Sequence, residues 1–333
     1  MKKFKFYFIV LITTVSLFSC SKKSDDEIEV VPPRDYATQY TVESALIETY
    51  LKTNYISVTQ APGKTEDQDV TILPLIAGKQ SIWDQKEYQL LNRIVELHNI
   101  KYTLYYLVLR EGTGTSPCNV DGVFTSYNGK YLQETTTNAV TNITATQFEE
   151  VIYPQQFYDL FGTIRGWKEI FPQFKTGNSV SNSDNTVSHT DFGAGVMFIP
   201  SGLAYYNQAQ NGIPQYSPLV FSFKLYEVQR LDHEYKIVNG QAIADPDGIP
   251  SYLEDLDGDG YMWIKAELPD GAKNSDDTDG DGIPDFLDTD DDGDNYATKL
   301  EIKNTITGLP YPFEQIPTCA SGKKNYLDAS CHP

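Results

Sequence analysis

Aspartates two residues apart, repeated in three groups near the C-terminal end, constrain this chain more than any other feature. They stand at Asp255, Asp257 and Asp259, at Asp277, Asp279 and Asp281, and at Asp290, Asp292 and Asp294. Between Gly240 and Glu301 the chain has 19 acidic residues and 3 lysines, out of 46 acids and 26 bases in all. So few apolar residues and so much like charge predict a segment that compacts only when cations neutralise it. The rest of the sequence holds 27 acids and 23 bases, so most of the net charge of −20 belongs to this stretch. Nothing basic is concentrated enough to meet a nucleic acid, and no such partner is expected.

The spacing suits a hard cation. Ca²⁺ takes about six to eight oxygens, and alternate side chains on a tightly turning loop converge on one point. Asp247-Gly248-Ile249-Pro250 returns 34 residues later as Asp281-Gly282-Ile283-Pro284, an internal repeat. Gly260 and Gly282 hold the sixth places of their loops, where the chain must turn sharply. Counted as twelve-residue loops, Asp277, Asp279, Asp281, Asp285 and Asp288 fill places 1, 3, 5, 9 and 12. Asp290, Asp292, Asp294 and Glu301 fill places 1, 3, 5 and 12 of another. The loop from Asp255 has Ala266 at place 12, and the one holding Asp245 and Asp247 ends on Glu254 but starts at Ile243. No paired long helices flank these loops, so the segment resembles thrombospondin type 3 repeats rather than EF-hands. The resemblance implies structural Ca²⁺.

Residues 1–20 read as a targeting segment. Lys2, Lys3 and Lys5 precede an apolar run from Phe6 to Phe18 that is short for a membrane span. Leu17-Phe18-Ser19-Cys20 resembles a bacterial lipobox, in which Cys20 carries the lipid and acyl chains hold the protein on a membrane. The acidic tether Ser21–Glu27 resembles the export signal of Bacteroidetes surface lipoproteins, or serves only as a solvated spacer. An outer-membrane lipoprotein is expected, on the periplasmic face or the cell surface.

Helical spacing predicts helices over 41–55, with Thr41 as a possible cap, and over 84–98, within an N-terminal extension of residues 36–99. Residues 69–73 read as a short strand between them, and 102–109 and 123–129 as strands of a following domain. The polar stretch Lys175–Thr190 predicts a solvated loop.

A longer series follows. Ile164-Arg165-Gly166-Trp167 opens a short helix, Gly193–Ile199 is an apolar strand, and Pro200-Ser201-Gly202-Leu203-Ala204-Tyr205 a loop. Gly212-Ile213-Pro214 then makes a turn, and Leu219-Val220-Phe221-Ser222-Phe223 a second strand. In order and spacing this resembles the FKBP family of peptidyl-prolyl isomerases. The resemblance implies an α+β fold, an antiparallel sheet wrapped on a short helix, over about residues 100–230. It implies that Trp167 floors a proline pocket, that Ile164 offers its N–H and side chain, and that Tyr205 donates to the substrate carbonyl. Ile213, Phe221 and Tyr127 close the pocket, with Phe157 as a further wall. The family's Phe-Asp pair is replaced by Thr137-Asn138. Proline-containing segments of client proteins are the implied partners, and the chemistry needs no cofactor.

The loop-rich calcium segment is expected over residues 240–301 and a tail over 302–333. Cys319 and Cys331 are placed to close a loop within that tail, leaving Cys118 free. The expected activity is prolyl isomerisation on the cell envelope. A weakly active peptide-binding or chaperone module and a calcium-dependent surface protein are the alternatives.

Overall fold

The computed structural model describes residues 32–137 and 140–331; Cys20 and Asn138 lie outside the described residues. Helix α1 (Tyr36–Thr53) comes first. It begins earlier than expected because Asp35 caps it, Oδ1 accepting from the Thr38 N–H at 2.8 Å. Thr41 is inside the helix, its hydroxyl donating to the Ala37 carbonyl. Strands β1 (Asn54–Val58) and β2 (Val70–Pro74) then pair as a ribbon.

The main antiparallel sheet takes strands β3 (Gln89–Leu97), β4 (Ile100–Arg110), β5 (Gly122–Thr137), β6 (Val140–Val151), β10 (Gly193–Ile199) and β11 (Leu219–Gln229). Their order is β3-β4-β10-β11-β5-β6, and the two-residue β7 (Tyr158–Asp159) pairs with β5. The helix expected over 84–98 is therefore a strand. Apolar residues at 91, 94, 95 and 97 fit either period over so short a window. The turn decides. His98 and Asn99 adopt φ of 55° and 58°, the left-handed pair whose twist suits a two-residue hairpin. Leu91, Val95 and Leu97 then join the core, and Ile94 faces outward.

Alternation along the central strands sorts the core into two layers. Met197, Ile199, Phe221 and Phe223 pack with Trp167 on one face. Val196, Phe198 and Val220 pack with Ile47, Tyr50 and Leu51 of α1 on the other. Strand β10 is buried on both faces, which explains its unbroken small and apolar sequence. On the first face lies helix α2 (Arg165–Ile170), where Gly166 allows close contact; a Cβ there would sit 2.6 Å from Ile199 Cγ2. The fold is α+β, an antiparallel sheet wrapped on a short helix.

The polar insertion is exposed but not shapeless. It carries a ribbon of β8 (Asn178–Ser181) and β9 (Val187–Thr190). A hairpin that the sequence reading missed, β12 (Tyr235–Val238) and β13 (Gln241–Ala244), turns at Asn239 and Gly240, both at positive φ. The acidic segment follows as loops, 3₁₀ turns and a one-turn helix α3 (Thr298–Glu301). Its few apolar residues are shared outward. Ile249 packs with Ile302, Ile316 and Tyr326 of the tail, and Met262 and Phe286 pack with Val120 from the β4–β5 connection. The acidic stretch and the tail, divided at residue 301 by the sequence, thus have a common core. Cys319 and Cys331 are joined with Cα atoms 6.1 Å apart, and Cys118 is a free thiol.

Candidate functional site

Helix α2 sets Trp167 at the centre of an aromatic cluster. Tyr127 meets it at 5.2 Å between ring centroids, Phe221 at 5.3 Å and Phe171 at 5.1 Å, all edge to face. This is the favoured geometry for aromatic quadrupoles. Tyr127, Trp167, Ile213 and Phe221 are all buried in one core layer, and Ile164 and Tyr205 pack against it half-buried. The six residues singled out by sequence are brought together, from two strands, a helix and two loops.

The wall expected from Phe157 comes instead from its neighbour. Phe157 packs on Phe124 at 5.3 Å, on the opposite side of its segment. Tyr158 stands 5.8 Å from the rings of both Tyr127 and Trp167. Phe157 immediately precedes the two-residue strand β7, which Tyr158 opens, and the two neighbouring rings point to different partners.

Two further residues were missed. Where Gly129 pairs with Glu149 and Lys130 with Gln147, Phe148 is the extra residue of a β-bulge in β6. The bulge sends two consecutive side chains to one face. Phe148 packs on Phe221 at 5.7 Å, and Glu149 Oε2 accepts from the Tyr127 hydroxyl at 2.7 Å. Gly129 leaves the room, since a Cβ there would lie 2.6 Å from Phe148 Cζ and 2.9 Å from Phe221 Cε1. β6 thus brings an aromatic ring and a carboxylate to the cluster. Thr137 ends β5, and no local sequence signal marks the bulge.

Tyr205 is placed from a distance. A 3₁₀ turn at Ser201–Leu203 precedes it. Glu43 of α1 holds that turn, accepting from the Ser201 N–H at 2.7 Å and the Ser201 hydroxyl at 2.5 Å. Burial, reinforced by the Glu149 charge, raises the Tyr205 pKa and keeps its hydroxyl a donor.

The outward side of α2 docks on the acidic segment. Arg165 Nε pairs with Glu169 Oε1 at 2.7 Å and its Nη1 with Glu267 Oε2 at 2.9 Å, while Lys168 reaches Glu267 Oε1 at 3.0 Å. The Arg165 guanidinium also lies over the rings of Tyr261 and Trp263. The helix bearing Trp167 is therefore clamped between the sheet and residues 261–267.

Each aspartate triplet converges as its spacing predicts. Asp255, Asp257 and Asp259 bring carboxylate oxygens within 4.8 Å of one another, as do Asp277, Asp279 and Asp281, and Asp290, Asp292 and Asp294. The loops share one backbone pattern. Gly258, Gly280 and Gly293 at the fourth place, and Gly260, Gly282 and Asn295 at the sixth, all have positive φ. Glu301 stands beside the third triplet, its carboxyl pushed up to about 8 by burial and by Asp292, Asp294 and Asp290. Among the described residues, neither Glu301 oxygen has a hydrogen-bond partner. Asp288 lies near Asp281 and Asp279, whose charges, after burial, raise its pKa.

Two aspartates depart from the counting. Both oxygens of Asp285 accept from Thr278, from its N–H at 2.8 Å and its hydroxyl at 2.7 Å, because burial makes a local donor pair necessary. Asp245 pairs with Lys299 at 2.7 Å and Lys236 at 3.1 Å. Asp247 and Glu254 are buried together with Asp291, a residue the alternate spacing skips.

The family model described as BamM C-terminal matches residues 244–326, the acidic segment with most of the tail. The family matched over these residues is BamM C-terminal, not the thrombospondin type 3 repeats that the spacing resembles. No curated protein sequence matches the chain. Its structural neighbours include a peptidyl-prolyl cis-trans isomerase from Pseudomonas syringae pathovar tomato, at 23% identity, covering 41% of this chain and 80% of that one with a TM-score of 0.28. FkpA from Escherichia coli is 25% identical over 44% of this chain and 53% of its own, with a TM-score of 0.29. The three FKBP domains of wheat FKBP73 give 19% identity over 41% and 50%, with a TM-score of 0.29. The chain thus spans about half the length of the last two.

Proposed function

We propose that this chain is a peptidyl-prolyl cis-trans isomerase of the cell envelope, acting on proline-containing segments of client proteins and carrying a calcium-binding extension. The observation that carries the reading is the convergence of Trp167, Tyr127, Phe221, Ile213 and Tyr205 around one apolar site. An X–Pro bond turns slowly because rotation breaks amide resonance, a barrier of about 18–20 kcal/mol. A catalyst need only favour the twisted amide over the planar one. The twisted amide has less charge separation, so a dry aromatic floor at Trp167 suits it. Tyr205 donates to the substrate carbonyl, and Glu149 holds the Tyr127 ring at the wall. No nucleophile is needed.

Prolyl isomerisation of a short X–Pro peptide, measured for the full chain and for Tyr205→Phe and Trp167→Phe, tests this. Turnover lowered by both changes supports it, and no turnover by the folded protein would sink it. A second reading, a peptide holder that turns over slowly, is favoured by Thr137-Asn138 standing in place of the family's Phe-Asp pair.

The three aspartate triplets offer only anionic oxygen donors, the chemistry of a hard cation. Asp255, Asp257 and Asp259, Asp277, Asp279, Asp281 and Asp288, and Asp290, Asp292, Asp294 and Glu301 are the proposed Ca²⁺ ligands of the loops. The ion would neutralise charge and so stabilise the module that clamps α2. Cys20 is the proposed lipid site, and the anchor would hold the protein on the outer membrane.

A further inference from the structure

Asp247, Glu254 and Asp291 are 4%, 0% and 1% exposed, and each brings an oxygen within 4.8 Å of the other two. Among the described residues, both oxygens of Glu254, both of Asp291 and Oδ2 of Asp247 find no hydrogen-bond partner. The remaining Asp247 oxygen accepts from the Ile249 N–H at 2.6 Å. Lys236 and Lys299 form their ion pairs with Asp245, outside this group. Three buried carboxylates in mutual contact, with five of their six oxygens lacking a hydrogen-bond partner among the described residues, are strongly disfavoured. A cation among them removes the repulsion and satisfies the orphan oxygens at once.

The three residues come from separate turns. Asp247 and Glu254 flank the first Ile-Pro repeat, and Asp291 lies between ligand positions of the last triplet. Because neighbouring side chains diverge, the last loop presents Asp290, Asp292 and Asp294 to one point and Asp291 to another. Asp247 also belongs to a second carboxylate group, with Asp232 and Glu234 just beyond β11.

We propose that Asp247, Glu254 and Asp291 hold a buried divalent cation, Ca²⁺ by its donors, that locks the first repeat to the last and both to the exit of the sheet. An all-anionic, dry oxygen cage suits Ca²⁺ better than Mg²⁺, which sheds its water reluctantly. The site extends the calcium reading of the loops, yet its ligands are different residues, so the two stand or fall separately.

The test uses the full chain stripped with a chelator and titrated calorimetrically with Ca²⁺ alone. Glu254→Gln and Asp291→Asn should each weaken the tightest binding at least about tenfold. Asp255→Asn with Asp257→Asn should leave that tightest class intact; an effect of this pair on weaker binding reports on the loops instead. In the chelator Glu254→Gln should melt above the unaltered protein, having lost a buried unpaired charge, and in Ca²⁺ below it. Folded variants that keep the tightest class, or melting temperatures that do not cross over, would overturn the proposal. Should the variants not fold, Tb³⁺ bound to the unaltered chain decides. Luminescence lifetimes in H₂O and D₂O should reveal an ion with almost no coordinated water, and several waters on every bound ion would overturn the site.

Discussion

The Tyr127 hydroxyl donates to Glu149 Oε2 at 2.7 Å, across the bulge between β5 and β6. The bond fixes the ring that stands edge-on to Trp167, so Glu149 is a positioning residue of the proposed site. Removing either partner should lower kcat/KM for an X–Pro peptide about tenfold, the scale of one charge-assisted hydrogen bond. Glu149→Gln and Tyr127→Phe combined should cost little more than either alone, since both break the same bond. A fully additive loss in the isomerase assay would mean that the pair does not act as a unit.

In the proposed site Phe148 and Glu149 would take the roles that Thr137-Asn138 leave open, so restoring the family's pair should bring no gain. Thr137→Phe with Asn138→Asp is expected to leave turnover within about twofold of the parent, well under the 1.4 kcal/mol of a tenfold change. Phe148→Ala should destabilise by about 2 kcal/mol, less than a fully buried Phe, and raise KM. A large gain from the double change would show the β6 pair to be inactive.

Glu267 joins the acidic segment to the back of α2. Glu267→Gln leaves the buried Lys168 ammonium without its carboxylate, while Arg165 keeps Glu169. The loss should be about 3 kcal/mol in urea unfolding. An unchanged midpoint would show that the clamp on α2 contributes nothing.

Trp263 reports on the first aspartate loop, its Nε1–H donating to Asp259 Oδ2 at 3.0 Å. Ca²⁺ should draw that carboxylate inward and change the indole emission. For an extracellular type of loop the midpoint is expected at roughly 10⁻⁴–10⁻³ M. Trp263→Phe should abolish the response, leaving the signals of Trp83 and Trp167. A full chain whose emission ignores millimolar Ca²⁺ would count against cation binding at that loop.

The anchor has a separate readout. Cys20→Ser should shift the protein from the membrane to the soluble fraction of cells, because a lipid chain holds by its buried methylenes. Continued membrane association would point to another means of attachment.

The sequence by itself determined whatever depends on short-range pattern. Apolar runs marked β4 and β10, alternation marked β11, the resemblance carried by Ile164-Arg165-Gly166-Trp167 marked α2, and aspartates two apart with glycines at the turns marked three converging loops. These follow from backbone geometry, which acts over a few residues. The tertiary structure decided what depends on partners distant in the chain. Within residues 84–98, Gln89–Leu97 became a strand because the His98-Asn99 turn laid them on β4. A bulge against Gly129 placed Phe148 and Glu149 together, and Tyr158 rather than Phe157 faced Trp167. Asp291 became a neighbour of Glu254 only when the first and last repeats closed on one core. A side chain's direction is set by the strand or loop it lies on, but what it meets there is set by elements tens of residues away, and no local period records that.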